Sequence, residues 1–115
     1  IMKIIAGTTE YAQSVLGNIP LQPIEFGLRQ NYPNPFNPST TIQYQVAKRS
    51  HVLMEIFNML GQRVRLLLNG EQPAGFHSVV WDGRNDGGLA AGSGIYFYRM
   101  VAGEFVESHK LILVR

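Results

Sequence analysis

From residue 40 onward, apolar side chains recur at every second position, and no long stretch repeats them at the three-to-four spacing of a helix. That grammar restricts the chain to paired strands. Ile42, Tyr44 and Val46 alternate with Thr41, Gln43 and Gln45 over residues 40–46, and Val52, Met54 and Ile56 share one face over residues 51–57. Further strands are expected at residues 63–68, 76–81, 95–101 and 105–114, with a weak edge strand at 24–28. Turns are expected at Lys48, Arg49 and Ser50, at residues 58–61, in a loop of turn formers at 69–75, in a long glycine-rich loop at 82–94, and in a hairpin at 102–104. Six short strands and the weak edge strand, separated by turn signals with no long helical pattern between them, predict an all-β fold of antiparallel sheets packed as a β-sandwich, immunoglobulin-like in architecture only.

Ahead of this region lies Asn31-Tyr32-Pro33-Asn34-Pro35-Phe36-Asn37-Pro38. Its prolines fix φ and remove backbone donors, so it is neither helix nor central strand and must run extended across a surface. Tyr32 and Phe36 are large apolar groups that are costly to leave in water, and the segment reads as a clamp whose two aromatics pin the entrance of the domain. Asn37-Pro38-Ser39 is not a glycosylation acceptor, because proline occupies its middle position.

A chain of 115 residues, 45% hydrophobic and 16% charged, buries one modest core. The net charge is +2 and only Lys48 and Arg49 are adjacent basic residues, which gives no support to a nucleic-acid groove. The absence of cysteine excludes disulfides and thiolate metal sites. No run approaches the roughly 20 apolar residues of a membrane helix, so no transmembrane segment is expected. Residues 2–6 form a short apolar run around Lys3 and read as a lone strand, followed by weakly patterned residues with Pro20 and Pro23. Residues 1–23 are accordingly expected to be the end of an upstream domain or strand plus a linker, and 24–115 the sandwich.

Little in the sequence points to catalysis. His51, His77 and His109 fall in separate expected strands with no carboxylate or hydroxyl at a triad spacing, and the six glutamates are dispersed. The expectation is a non-enzyme. Asp82, Asn85 and Asp86 are the one cluster of hard oxygen ligands and form a weak candidate calcium site; otherwise no cofactor is expected. Their spacing lacks the alternation and closing glutamate of an EF-hand, and turn capping explains them equally well. Trp81 reads as a core aromatic. Tyr96, Phe97 and Tyr98 occupy both faces of one strand, so one ring at least faces outward.

The clamp over residues 31–41, the Leu60-Gly61-Gln62 turn, Trp81-Asp82-Gly83, the run from Ser93 through Arg99 and the end from Lys110 to Arg115 together resemble the C-terminal sorting domain (type A) of type IX secretion cargo. The middle portion also resembles the immunoglobulin-like domain of flagellar hook-capping proteins. The resemblance implies a seven-stranded sandwich ending a longer secreted protein, read by an outer-membrane secretion translocon and surface-attachment machinery, and located outside the outer membrane or on the cell surface. It places the sorting motif on Pro33, Asn34 and Pro35, on Gly94 and Tyr96, and on Lys110, Leu111, Ile112, Leu113 and Val114. The loop after Asp86 departs from the family by carrying glycines where relatives are more polar, which predicts a less rigid loop.

Two other readings belong to different classes. In one, Met2, Ile4 and Ile5 add as a strand to a neighbouring copy, and the chain is a self-associating subunit of an extracellular filament or surface assembly. In the other, Trp81 or the tyrosines stack on carbohydrate.

Overall fold

A computed structural model describes residues 22–115, and the expectations for residues 1–21 lie outside the described residues. Seven strands follow in chain order: β1 (Gly27–Leu28), β2 (Thr40–Val46), β3 (Ser50–Phe57), β4 (Arg63–Gln72), β5 (Gly75–Trp81), β6 (Gly94–Ala102) and β7 (Phe105–Leu113). They form a three-stranded sheet ordered β1-β2-β5 and a four-stranded sheet ordered β4-β3-β6-β7, with every strand pairing antiparallel. This is the expected sandwich.

Alternation decides which face each strand buries. Ile42, Tyr44 and Val46 of β2, Val52, Met54 and Ile56 of β3, Tyr98 and Met100 of β6, and Leu111 and Leu113 of β7 all point between the sheets. Trp81, at the end of β5, is fully buried, as a core aromatic should be. Phe36 lies 5.6 Å from its ring in a tilted contact, and Tyr96 lies 5.4 Å away edge-on. Of the three consecutive aromatics, Tyr96 and Tyr98 face inward and Phe97 outward, beside Phe57 on β3.

Two expectations need correction. The turn formers Asn69, Gly70, Glu71 and Gln72 are not loop but the last part of β4, paired with Leu53, Val52, His51 and Ser50. Cross-strand pairing against the long β3 outweighs their local preference, and the chain passes between the sheets through Pro73 and Ala74 alone. The clamp is pinned by one aromatic rather than two. Tyr32 pairs with Thr41, whose side chain faces away from the core, and it therefore faces outward as well, 80% exposed. Phe36 is 2% exposed.

The N-terminal edge strand is present but short, because pairing along β2 continues as isolated contacts. The Arg29 amide donates to the Gln43 carbonyl at 2.9 Å, and Tyr32 exchanges both backbone bonds with Thr41 at 2.9 Å. The peptide bonds before Pro33, Pro35 and Pro38 are cis.

Candidate functional site

The residues expected to form a sorting motif come from three separate stretches, and the fold brings all three to one end of the sandwich. After running along the β2 edge of the three-stranded sheet, the clamp reaches the free edge of β7. The Phe36 amide donates to the Ile112 carbonyl at 3.0 Å, and the Val114 amide donates to the Phe36 carbonyl at 2.9 Å, a parallel bridge centred on Phe36 and Leu113. The Asn34 side-chain oxygen accepts from the Ile112 amide at 3.0 Å, and the Gln30 amide group donates to the Lys110 carbonyl at 2.8 Å. An otherwise open strand edge is thereby sealed from Lys110 to Val114. On its other side β7 pairs with β6, with Gly94 opposite Leu113 and Tyr96 opposite Leu111.

Each motif residue has a distinct place here. Leu111 and Leu113 are buried in the core, whereas Lys110 is exposed and Val114 is 48% exposed. Lys110 stands on the outer face of the four-stranded sheet in the row Phe57, Phe97, Lys110, and the Arg99 guanidinium lies 4.7 Å over the Phe57 ring. The Tyr96 hydroxyl donates to the Gly92 carbonyl at 2.7 Å, which ties the end of the glycine-rich loop to β6. Gly94 has φ of +157°, and a Cβ built there meets nothing within 4 Å, so its backbone conformation favours glycine while close approach plays no part.

Two polar residues that the sequence reading passed over hold the clamp's start. Asn31 is 2% exposed; its side-chain amide donates to the Thr40 hydroxyl at 2.9 Å and to the Pro33 carbonyl at 3.2 Å. The Thr40 hydroxyl in turn donates to the Pro33 carbonyl at 2.8 Å. Buried polar groups in such a network are satisfied only in one arrangement, so the network fixes where the clamp leaves β2. Nearby, the buried Tyr98 hydroxyl donates to the Arg29 carbonyl at 2.6 Å. Burial, aided by the charge of Glu107 and opposed by a backbone hydrogen bond at Asn31, pushes the Tyr98 phenol up to about 12.

The glycine-rich loop is not loose, contrary to its composition. The Asn85 side-chain oxygen accepts from the Gly87 and Leu89 amides at 2.9 and 3.0 Å, and the Trp81 indole donates to the Arg84 carbonyl at 2.9 Å. The Asp86 amide donates to the Val64 carbonyl at 2.8 Å, which straps the loop to β4. The candidate calcium ligands are engaged individually. Asp82 accepts from Arg65 at 3.0 Å and Asp86 from Arg63 at 3.2 Å, while the other Asp86 oxygen accepts the Leu66 amide at 2.8 Å. These groups cap turns and pair with arginines, so a cation would have to displace both guanidinium groups. A cleft of about 500 Å³ between this loop and the start of β4 is lined in part by Arg63, Val64, Asp86, Ala91 and Tyr96.

The histidines lie apart. His51 bonds Asn69 at 2.6 Å, His77 bonds the Pro73 carbonyl at 2.8 Å and stacks on Tyr44, and His109 bonds the Leu28 carbonyl at 3.0 Å and Glu107 at 2.7 Å. All three are cross-element struts. Trp81 has no exposed ring to offer a sugar. Among the described residues there is no helix long and apolar enough to cross a membrane.

Known structures share this architecture. Dimeric latent PorU from Porphyromonas gingivalis superposes with a TM-score of 0.64 at 22% identity, over 78% of this chain and 9% of that one. PorZ, an essential bacterial surface component of the type-IX secretion system of the same organism, superposes with a TM-score of 0.50 at 21% identity, over 78% of this chain and 11% of its own. The chain thus spans about a tenth of either protein. A comparison with curated protein sequences finds no match. The FlgD Ig-like domain family matches residues 37–104, more than half of the chain, and the chain belongs to that family.

Proposed function

We propose that residues 24–115 act as a non-enzymatic sorting domain, a folded export signal that directs an attached protein through the outer membrane and to the cell surface. The observation that carries this reading is the convergence of the clamp, the start of β6 and the end of β7 on one end of the sandwich. A translocon component reading this end would meet Lys110, Val114 and the clamp surface together. The fold that PorZ shares with this chain is consistent with such a setting.

The test is to fuse residues 24–115 to a periplasmic reporter in a bacterium with a working type IX system and to measure reporter on the cell surface. Surface delivery that disappears when the translocon is inactivated supports the reading. Retention of the fusion in the periplasm contradicts it.

A further inference from the structure

Three of the four outer edges of the two sheets are protected. β1 is two residues long. The edge of β7 is sealed by the clamp from Lys110 to Val114 and carries the charged Glu107 in the half that the clamp does not reach, and β4 carries Arg63, Arg65 and Glu71 and is strapped at its start by the Asp86 contacts. Among the described residues the exception is β5, Gly75–Trp81, whose sequence Gly-Phe-His-Ser-Val-Val-Trp contains no acidic, lysine, arginine or proline residue. Natural sheets blunt their edges with such residues, and a bare edge is a template for another strand.

The direction of its backbone groups follows from β2. Thr41 and Gln43 bond Tyr32 and Arg29 on the β1 side, so the groups of Thr40, Ile42 and Tyr44 face β5 and engage Trp81, Val79 and His77. Phe76, Ser78 and Val80 are therefore left with their amides and carbonyls turned to the free edge, and among the described residues none of them has a backbone partner there. Their side chains stand on the outer face, with Phe76 61% and Val80 55% exposed.

We propose that this edge pairs with the same edge of a second copy, antiparallel about Ser78, joining two three-stranded sheets into one. What favours a second copy as the occupant is that the two exposed apolar residues, Phe76 and Val80, lie symmetrically about Ser78. A two-fold axis at Ser78 sets Ser78 opposite itself and Phe76 opposite Val80 of the partner copy, and every outward backbone group then finds a donor or acceptor. The aromatic and β-branched side chains meet as cross-strand pairs on one face, and the neutral strand brings no like charges together.

The register makes the test specific. Light scattering of the full 115-residue chain over a range of concentrations should show a twofold rise in mass. Ser78→Lys and Ser78→Glu, both at an exposed position, should each melt in a single cooperative transition that does not depend on concentration and should stay monomeric, because like charges would lie directly opposite each other. Mixing the two variants should restore the twofold mass. As a check independent of substitution, exchange of the Phe76, Ser78 and Val80 amides should slow as concentration rises. A wild-type chain that is monomeric at every concentration overturns the proposal, as does a dimer that Ser78→Lys leaves intact. A dimer abolished by removing residues 1–21 but unaffected by Ser78→Lys also overturns it, in favour of strand addition by the N-terminal segment.

Discussion

The Arg115 guanidinium donates to the Gly83 carbonyl at 2.6 Å, so the last residue of the chain is locked onto the loop that follows the core tryptophan. A second bond runs from Arg115 Nε to the Ala91 carbonyl at 2.6 Å. Gly83 itself has φ of +77°, and a Cβ there would sit 2.7 Å from the Pro38 carbonyl and 2.9 Å from the guanidinium. Clamp, loop and chain end therefore meet at one glycine. Gly83→Ala should lower stability by about 1–3 kcal/mol through strain and collision. Because the Pro38 contact is backbone, Arg115→Ala in the same chain should not relieve the loss, and a chemical denaturation midpoint for the single and double variants checks both statements.

Lys110 and Leu111 are neighbours in sequence with opposite roles. Leu111→Ala empties a fully buried position and should cost about 2–5 kcal/mol. Lys110→Glu changes an exposed side chain and should move stability by no more than about 0.5 kcal/mol while reducing surface delivery of a fused reporter. Melting curves and surface labelling of the same two fusions distinguish lost recognition from lost fold.

Alternation was enough to read the strand set, the sandwich and the burial of Trp81, since one face of nearly every strand is committed to the core. What the sequence hid depends on long-range pairing. Asn69 to Gln72 look like a turn until β3 is seen to continue beside them. Tyr32 and Phe36 look alike until one is found across from an outward Thr41 and the other against Trp81. Asn31 and Thr40 meet only because the clamp folds back on β2. The residues expected to carry the motif were assigned by resemblance alone, and their convergence had no signal in the sequence, because residues 33–35 and 110–114 carry nothing local to say that they are neighbours.

Tyr98 gives the fold a pH limit. Its phenol rises from an ordinary value near 10 to about 12 on burial, so the folded state holds the proton over a range in which the unfolded chain has released it. The native state then binds more protons than the unfolded one, and stability falls as pH rises. The stabilisation is fully present below about pH 10 and is lost as pH climbs toward 12. Urea midpoints measured from pH 8 upward should stay level and then drop, and Tyr98→Phe should flatten the part of the drop due to this proton.

The glycine-rich loop owes its order to Asn85, whose side-chain oxygen accepts two backbone amides. Asn85→Ala should cost about 0.5–1.5 kcal/mol, because the Gly87 and Leu89 amides that it releases belong to exposed residues and turn to water. Because Asp82 and Asp86 are already paired with arginines, added calcium should leave the melting temperature unchanged. A calcium-dependent rise that Asp86→Asn abolishes would show that the pairs open for a cation.

The proposed export signal is a folded surface assembled from distant residues, not a linear tail. Its most direct test compares one reporter carrying residues 24–115 with the same reporter carrying residues 105–115 alone, scored by surface labelling in a type IX-secreting bacterium. The account predicts delivery by the whole domain and retention in the periplasm for the bare β7 segment. Equal surface delivery by the two fusions would contradict it.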